Sequence, residues 1–283
     1  MAKQDEPLHM AEAKQDEASV QKVSYNADNR DWKKGWKLYY WQFGGGRGQY
    51  IRLMFEFCGV EYTEELKKCG KGTEGQETWS AQVEIINPLR GSGINRTALA
   101  PPIVTHNDDF VLAQTGAIVL FLAELFPDLK PKNILQMARA RQMLFQVIDA
   151  VEEAHTASHP VEAHKSYSIQ KEEANKTLKE FTKKDGRLSK HIDVLTAELN
   201  RNNGGKGWFY GDKITFIDIY VATFMRAFGE SVKIIKLEDV YEKDEKYELL
   251  REHRKRFEAT EVYQKFAKSD KMPKIDETPS FQT

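Results

Sequence analysis

Cysteine is nearly absent: Cys58 and Cys69 are the only two in 283 residues, in neither a CxxC nor a metal-ligand spacing. That excludes a disulfide-built scaffold and a thiolate metal site, and it points to a reducing, cytoplasmic compartment. No apolar run approaches the roughly 18 residues of a membrane span, and the first residues lack the apolar stretch of a secretory leader. An excess of charge is missing too, since 42 Lys and Arg face 43 Asp and Glu. No nucleic acid and no membrane held by bulk electrostatics is expected, and no residue cluster suggests a metal.

Apolar material is plentiful, with 40% hydrophobic and 11% aromatic residues, enough for one large or two modest cores. It is unevenly spread. Residues 1–35 are polar and carry Ala-Lys-Gln-Asp-Glu twice, at 2–6 and at 13–17. A repeat with so little apolar face predicts a disordered extension, and 269–283, with Pro273 and Pro279, predicts a flexible tail.

Between them, 36–127 alternates strands and helices. The aromatic run 37–41 reads as a strand, and Gly44-Gly45-Gly46-Arg47-Gly48 as a loop. Residues 50–58 have apolar side chains at helical spacing and stop at Gly59, and 60–66 alternate as a second strand. A variable, Gly-rich connection over 69–98 follows. Pro101 and Pro102 both lack the N–H that a ladder needs, so they mark a turn or a cis junction into the strand Ile103-Val104. Residues 106–109 read as a tight turn, 110–112 as a strand, and the apolar run 117–123 as a helix with Thr115 as its candidate N-cap. A helix start of that kind is a ready anion site.

From 133 to 268 every segment reads as helix. Met137, Ala140, Leu144, Val147, Ile148 and Val151 mark the inner side of the first, and Asp185-Gly186 interrupts the stretch 170–200. Residues 215–228 form the most apolar helix, and 240–266 add one or two more. The expected fold class is α/β plus all-α: a βαβαββα domain followed by a helical domain.

From about residue 37 to 266 this pattern resembles the glutathione transferase superfamily, whose layout is a thioredoxin-like domain followed by helices. Three matches carry the resemblance. Pro102-Ile103-Val104 is similar to the family's cis-proline strand entry. Gln114-Thr115-Gly116-Ala117-Ile118 is similar to its Gln-Ser-x-Ala-Ile helix start. Gly211-Asp212-Lys213-Ile214-Thr215-Phe216-Ile217-Asp218-Ile219 is similar to its buried capping box, with Thr215 capping, Asp218 reaching back, and Ile214 and Ile219 as the hydrophobic staple.

The resemblance implies a glutathione transferase that joins the thiolate of glutathione to a small electrophile, or reduces peroxides, as a homodimer with the helices after Ile134 and around Ala117 at its interface. Glutathione is then a co-substrate. In tyrosine-type members, with a sigma- or mu-like first strand, a phenol at the strand end holds the thiolate. Strand parity puts Leu38 and Tyr40 on one face and Tyr39 and Trp41 on the other, which makes Tyr40 the catalytic candidate. Tyr39 is the alternative, and Tyr40 as an ordinary strand aromatic is another.

Gln114 and Thr115 would hold the γ-glutamyl carboxylate, and Pro101 and Pro102 the cysteinyl backbone. Trp41 would line the cleft or pack inside. Arg47 would support the thiolate or pair with a carboxylate. Lys68, Lys71 and Arg96 are candidates for the glycyl carboxylate. Pro101 is a departure from the family, because it retains only its carbonyl where the family uses N–H and C=O. One missing hydrogen bond costs about 0.5–1.5 kcal/mol.

The electrophile pocket would lie along the helix after Ile134 and near Tyr167 and Phe228, with Met143, Phe145 and His155 as apolar-face or core residues. His159-Pro160 reads as a helix terminator. Cys58 reads as core filler and Cys69 as an exposed loop thiol; a thiol-transferring reductase working through either is a weak third reading. A non-catalytic binding or assembly protein of the same fold is the rival reading.

Overall fold

The structure, a computed structural model, describes residues 29–41, 45–66, 76–91, 98–163, 167–234 and 240–273. The repeats at 2–6 and 13–17, Lys68, Cys69, Lys71 and Arg96 lie outside the described residues. The first domain runs β1 (Trp36–Tyr39), α1 (Gly48–Cys58), β2 (Tyr62–Glu64), α2 (Gln76–Arg90), β3 (Ile103–His106), β4 (Phe110–Ala113) and α3 (Thr115–Leu125). This is the expected βαβαββα order. The sheet order is β2-β1-β3-β4, with β1 parallel to β2 and the other pairs antiparallel.

Period-2 alternation places the β1 side chains as expected. Leu38 and Tyr40 join the core shared with α1, α3 and the helical domain, while Tyr39 packs with Leu66, Ile86 and Ile103. α1 stops at Gly59, which takes the left-handed φ of 61° that glycine adopts at little cost. The connection over 69–98 holds more than a loop, because α2 forms inside it. Its apolar signal is confined to Ile86 and Leu89, which share one helix face with the buried Gln82.

The described residues 29–35 fall inside the extension expected over 1–35, and several of them are packed. Arg30 forms a two-pronged pair with Asp109 at 2.6 and 2.9 Å. Trp32 lies 5.8 Å from the Trp36 ring and 4.5 Å from His106, and its carbonyl accepts the Trp36 indole N–H. Residues 269–273 of the expected tail are packed as well, with Lys271 paired to Glu56 at 3.0 Å.

The second domain comprises α4 (Ile134–Ser158), α5 (Lys171–Thr182), α6 (Arg187–Asn200), α7 (Phe216–Ile234), α8 (Val240–Lys243), α9 (Glu248–Glu258) and α10 (Glu261–Ala267). α4 ends before His159, as the His159-Pro160 step predicts. It buries Met137, Ala140, Met143, Leu144 and Val147, but Phe145 is 54% exposed. The core expectation for Phe145 is therefore corrected: it falls on the helix face opposite that stripe.

The start of α7 is locked by Asp218, which is fully buried. Its carboxylate accepts the backbone N–H of Phe209 at 2.7 Å, and the N–H and hydroxyl of Thr215 at 2.9 and 2.8 Å. The Nε2 of buried His253 lies 3.0 Å away. The reach-back half of the capping box is thus present, Asp218 accepting the Thr215 N–H, whereas the Thr215 hydroxyl donates to the same carboxylate and the Asp218 N–H goes to the Thr215 carbonyl. Among the described residues no helix is long and apolar enough to cross a membrane.

Candidate functional site

Strand register gathers the candidate residues. Tyr39 pairs with Ile103, and Ile103 pairs with Ala113, so these three form one row across β1, β3 and β4. Tyr40 and Trp41 follow the first, Pro101 and Pro102 precede the second, and Gln114 and Thr115 follow the third. All six therefore overhang one end of the sheet. With strands about 4.8 Å apart the row spans roughly 10 Å, the length of an extended tripeptide.

Tyr40 turns its ring onto α1, on the same side as Leu38. A Cβ at Gly48 would fall 2.4 Å from Tyr40 Cδ1, so glycine at 48 is what lets the ring lie there. The Tyr40 hydroxyl accepts the backbone N–H of Arg47 at 2.7 Å. A phenol oxygen that already accepts a hydrogen bond is polarised towards donating its own proton. Behind the ring, the guanidinium of Arg52 lies 5.9 Å from its centroid. Arg52 is itself buried against Glu64, with bonds of 3.0 and 2.7 Å to one carboxylate oxygen.

Tyr39 faces the other side of the sheet and packs under α2, away from Arg47. Between the two phenols, only Tyr40 reaches the start of α1. Trp41 is half-buried and touches both cores. Arg47 extends its guanidinium across to Glu152 on α4, a solvent-exposed pair between the two domains; such pairs contribute little. Nearby, Tyr50 and Tyr220 stack across the same boundary at 4.2 Å. Burial pushes both phenols above their usual values, so both stay protonated.

The Pro101-Pro102 bond is cis, one of the two alternatives the sequence left open. The helix start needs a correction. Gln114, at φ 73°, is the N-cap of α3 and Thr115 is its first helical residue. The Gln114 side chain makes no capping bond and is exposed. Thr115 is buried, and Gly116 lets α3 approach α4, where a Cβ would meet Ile148 at 2.9 Å. The first N–H groups of α3 thus open towards the sheet end beside Gln114.

Of the residues read near an electrophile pocket, Phe228 is buried and Tyr167 donates its hydroxyl to Asn175; Met143, read as a core residue, is buried, and His155 stacks on His159 at 4.6 Å. None of them lines the cleft between α1 and α7, which is bounded by Gly45, Gln49, Leu53, Arg226 and Tyr263. That cleft has about 20 Å³ of room, a single water's worth. Cys58 is buried, and burial pushes its thiol up to about 12, so it stays a core thiol rather than a nucleophile.

Comparison with known proteins agrees with this layout. Residues 155–270 match the family model described as glutathione S-transferase, C-terminal domain. No curated protein matches the chain by sequence. Among solved structures, a Caenorhabditis elegans glutathione S-transferase is 22% identical at a TM-score of 0.56, covering 83% of this chain and 97% of its own. A Nu-class enzyme from Haemonchus contortus is 18% identical at 0.54, covering 86% and 98%. A glutathione S-transferase from the hookworm Necator americanus, described as monomeric, is 18% identical at 0.55, covering 83% and 97%. Residues 155–270 thus resemble the C-terminal domain of glutathione S-transferases, and the chain shares the fold of the solved glutathione S-transferases.

Proposed function

We propose that this protein is a glutathione transferase, using the thiolate of glutathione against small electrophiles or peroxides. The observation that carries this reading is the row Tyr39–Ile103–Ala113, which brings Tyr40, Trp41, Pro101, Pro102, Gln114 and Thr115 to one end of the sheet. In this reading the Tyr40 hydroxyl, accepting from Arg47 N–H, donates to the thiolate sulfur and lowers the cost of its charge. The Pro101 carbonyl takes the cysteinyl N–H. The start of α3, with Gln114 and Thr115, takes the γ-glutamyl carboxylate. Arg47 supplies its backbone N–H here and spends its side chain on Glu152.

The titration of reduced glutathione by calorimetry tests the site. Binding in the micromolar-to-millimolar range, weakened about tenfold or more by Gln114→Ala, is expected from the loss of a contact to a charged group. Unchanged affinity in that variant removes Gln114 from the site.

A cytoplasmic homodimer completes the proposal. Leu135 and Phe145, 72% and 54% exposed on α4, are the kind of apolar surface a second subunit covers. Two observations favour the rival, a binding protein without catalysis. Pro101 has no N–H to offer a ligand, and Tyr40 is only 4% exposed. Turnover of a standard aryl electrophile would dismiss that rival; glutathione binding without turnover would establish it.

A further inference from the structure

After α10, residues 269–273 stay against the protein. Ser269 Oγ donates to the Phe266 carbonyl at 2.7 Å and accepts from Lys271 N at 3.3 Å, which turns residues 269–273 back over α1. Lys271 pairs with Glu56 at 3.0 Å, and its ammonium sits 4.1 Å over the Tyr62 ring. Met272 then places its sulfur between two donors from different domains. Gln49 Nε2 of α1 lies at 3.6 Å and an Arg226 nitrogen of α7 at 3.9 Å.

Gln49 is 5% exposed and its Oε1 meets no partner among the described residues, while its amide Nε2 donates to the Met272 sulfur. The Gln49 backbone N–H closes the turn before α1 by donating to Gly45 and Gly46 carbonyls at 3.0 and 3.2 Å. The next residue in that turn, Arg47, gives its N–H to Tyr40. Met272, Gln49, the 45–46 turn, Arg47 and Tyr40 therefore form one continuous line of contacts.

We propose that segment 269–273 is a positioning element for the thiol site: by holding Gln49 it sets the turn that aims the Tyr40 hydroxyl. Its catalytic consequence rests on the transferase reading; its mechanical part does not. Thioether acceptors are weak, so the hold comes from the sulfur, Lys271 and the packing of 272–273 acting together. Sites fixed by such outlying contacts lose acidity and geometry before they lose the fold.

The test uses the full chain carrying Lys271→Ala with Met272→Ala, and separately Met272→Leu, which keeps the packing without the sulfur. Amide exchange across 45–49, read by mass spectrometry without any ligand, is expected to rise about tenfold in the double variant. The rise is expected to be smaller in Met272→Leu, while α7 stays unchanged. The pH midpoint of kcat/KM for glutathione is expected to move upward in the same order. Unchanged exchange at 45–49, or a rise shared equally by α7, overturns the proposal. A wild-type protein without turnover would remove the transferase reading and leave the exchange result to decide the mechanical coupling.

Discussion

Asp218 and Tyr40 each sit at the entrance to a helix, and each is buried, but the molecule holds them differently. Asp218 takes donors from Phe209, Thr215 twice and His253, all within its own domain and all on one carboxylate. Tyr40 takes the N–H of a loop residue and rests where Gly48 has no side chain. The first arrangement is redundant and closed, as suits a lock on the fold. The second leaves its geometry to backbone placement, as suits the ligand-facing role proposed for Tyr40. Stability is concentrated at one place, and adaptable geometry at the other.

The comparison breaks most sharply at Asp218. Asp218→Ala strands the Thr215 and Phe209 N–H groups and leaves His253 without its acceptor. Removing one partner of such a buried charged network costs about 3–5 kcal/mol. Thermal denaturation should show a midpoint lower by on the order of 10 °C; a drop of a degree or two would show that the carboxylate is dispensable.

At the other pole, Tyr40→Phe should leave that midpoint nearly unchanged while kcat for an aryl electrophile falls roughly 10²-fold, the scale for one lost donor to a developing charge. A loss below a few-fold would take the thiolate role away from Tyr40. Gly48→Ala asks whether placement alone matters. Its Cβ would crowd the Tyr40 ring, so a strain of about 1–3 kcal/mol is expected. In this variant, unlike Tyr40→Phe, stability and turnover should fall together.

The smallest effect concerns Cys58, on the far end of α1 from Tyr40. Burial pushes its thiol from the ordinary value of about 9.0 up to about 12 in the folded chain. Above 9.0 the unfolded state therefore binds fewer protons, and stability falls as pH rises through that window, by up to about 1.4 kcal/mol per pH unit. Below 9.0 the thiol contributes no slope. Urea titrations at pH 8 and pH 10 should show a shallower loss in Cys58→Ala than in the wild type. Equal slopes would mean that the thiol ionises in the folded protein as easily as outside it.

Much of the framework was legible in the residues because it is written in short-range patterns. Gly59 had to stop a helix, Pro101 and Pro102 had to sit outside a ladder, and Asp218 three residues after Thr215 had to make a capping box. Strand parity likewise separated Tyr40 from Tyr39. What escaped was non-local or masked by composition. α2 hid in a Gly-rich stretch because Gln82 lies on its inner face where an apolar residue was expected. Trp32, four residues before Trp36, was lost in a polar extension because its partners His106 and Phe121 are distant in sequence. Thr115 was read as the cap because its hydroxyl fits that role, but the left-handed φ of Gln114 moved the helix start by one residue.

By itself, then, the sequence determined the order of elements, the ends of helices and the chemistry offered by Tyr40, Gln114 and Asp218, since each depends on bonds within a few residues. Only the tertiary structure decided which of these groups meet. The pairing of Tyr39 with Ile103 and of Ile103 with Ala113, the Glu152 partner of Arg47 and the Met272 partner of Gln49 join residues from about ten to more than two hundred positions apart. Contacts at that separation follow from how whole elements pack, and no local preference encodes them.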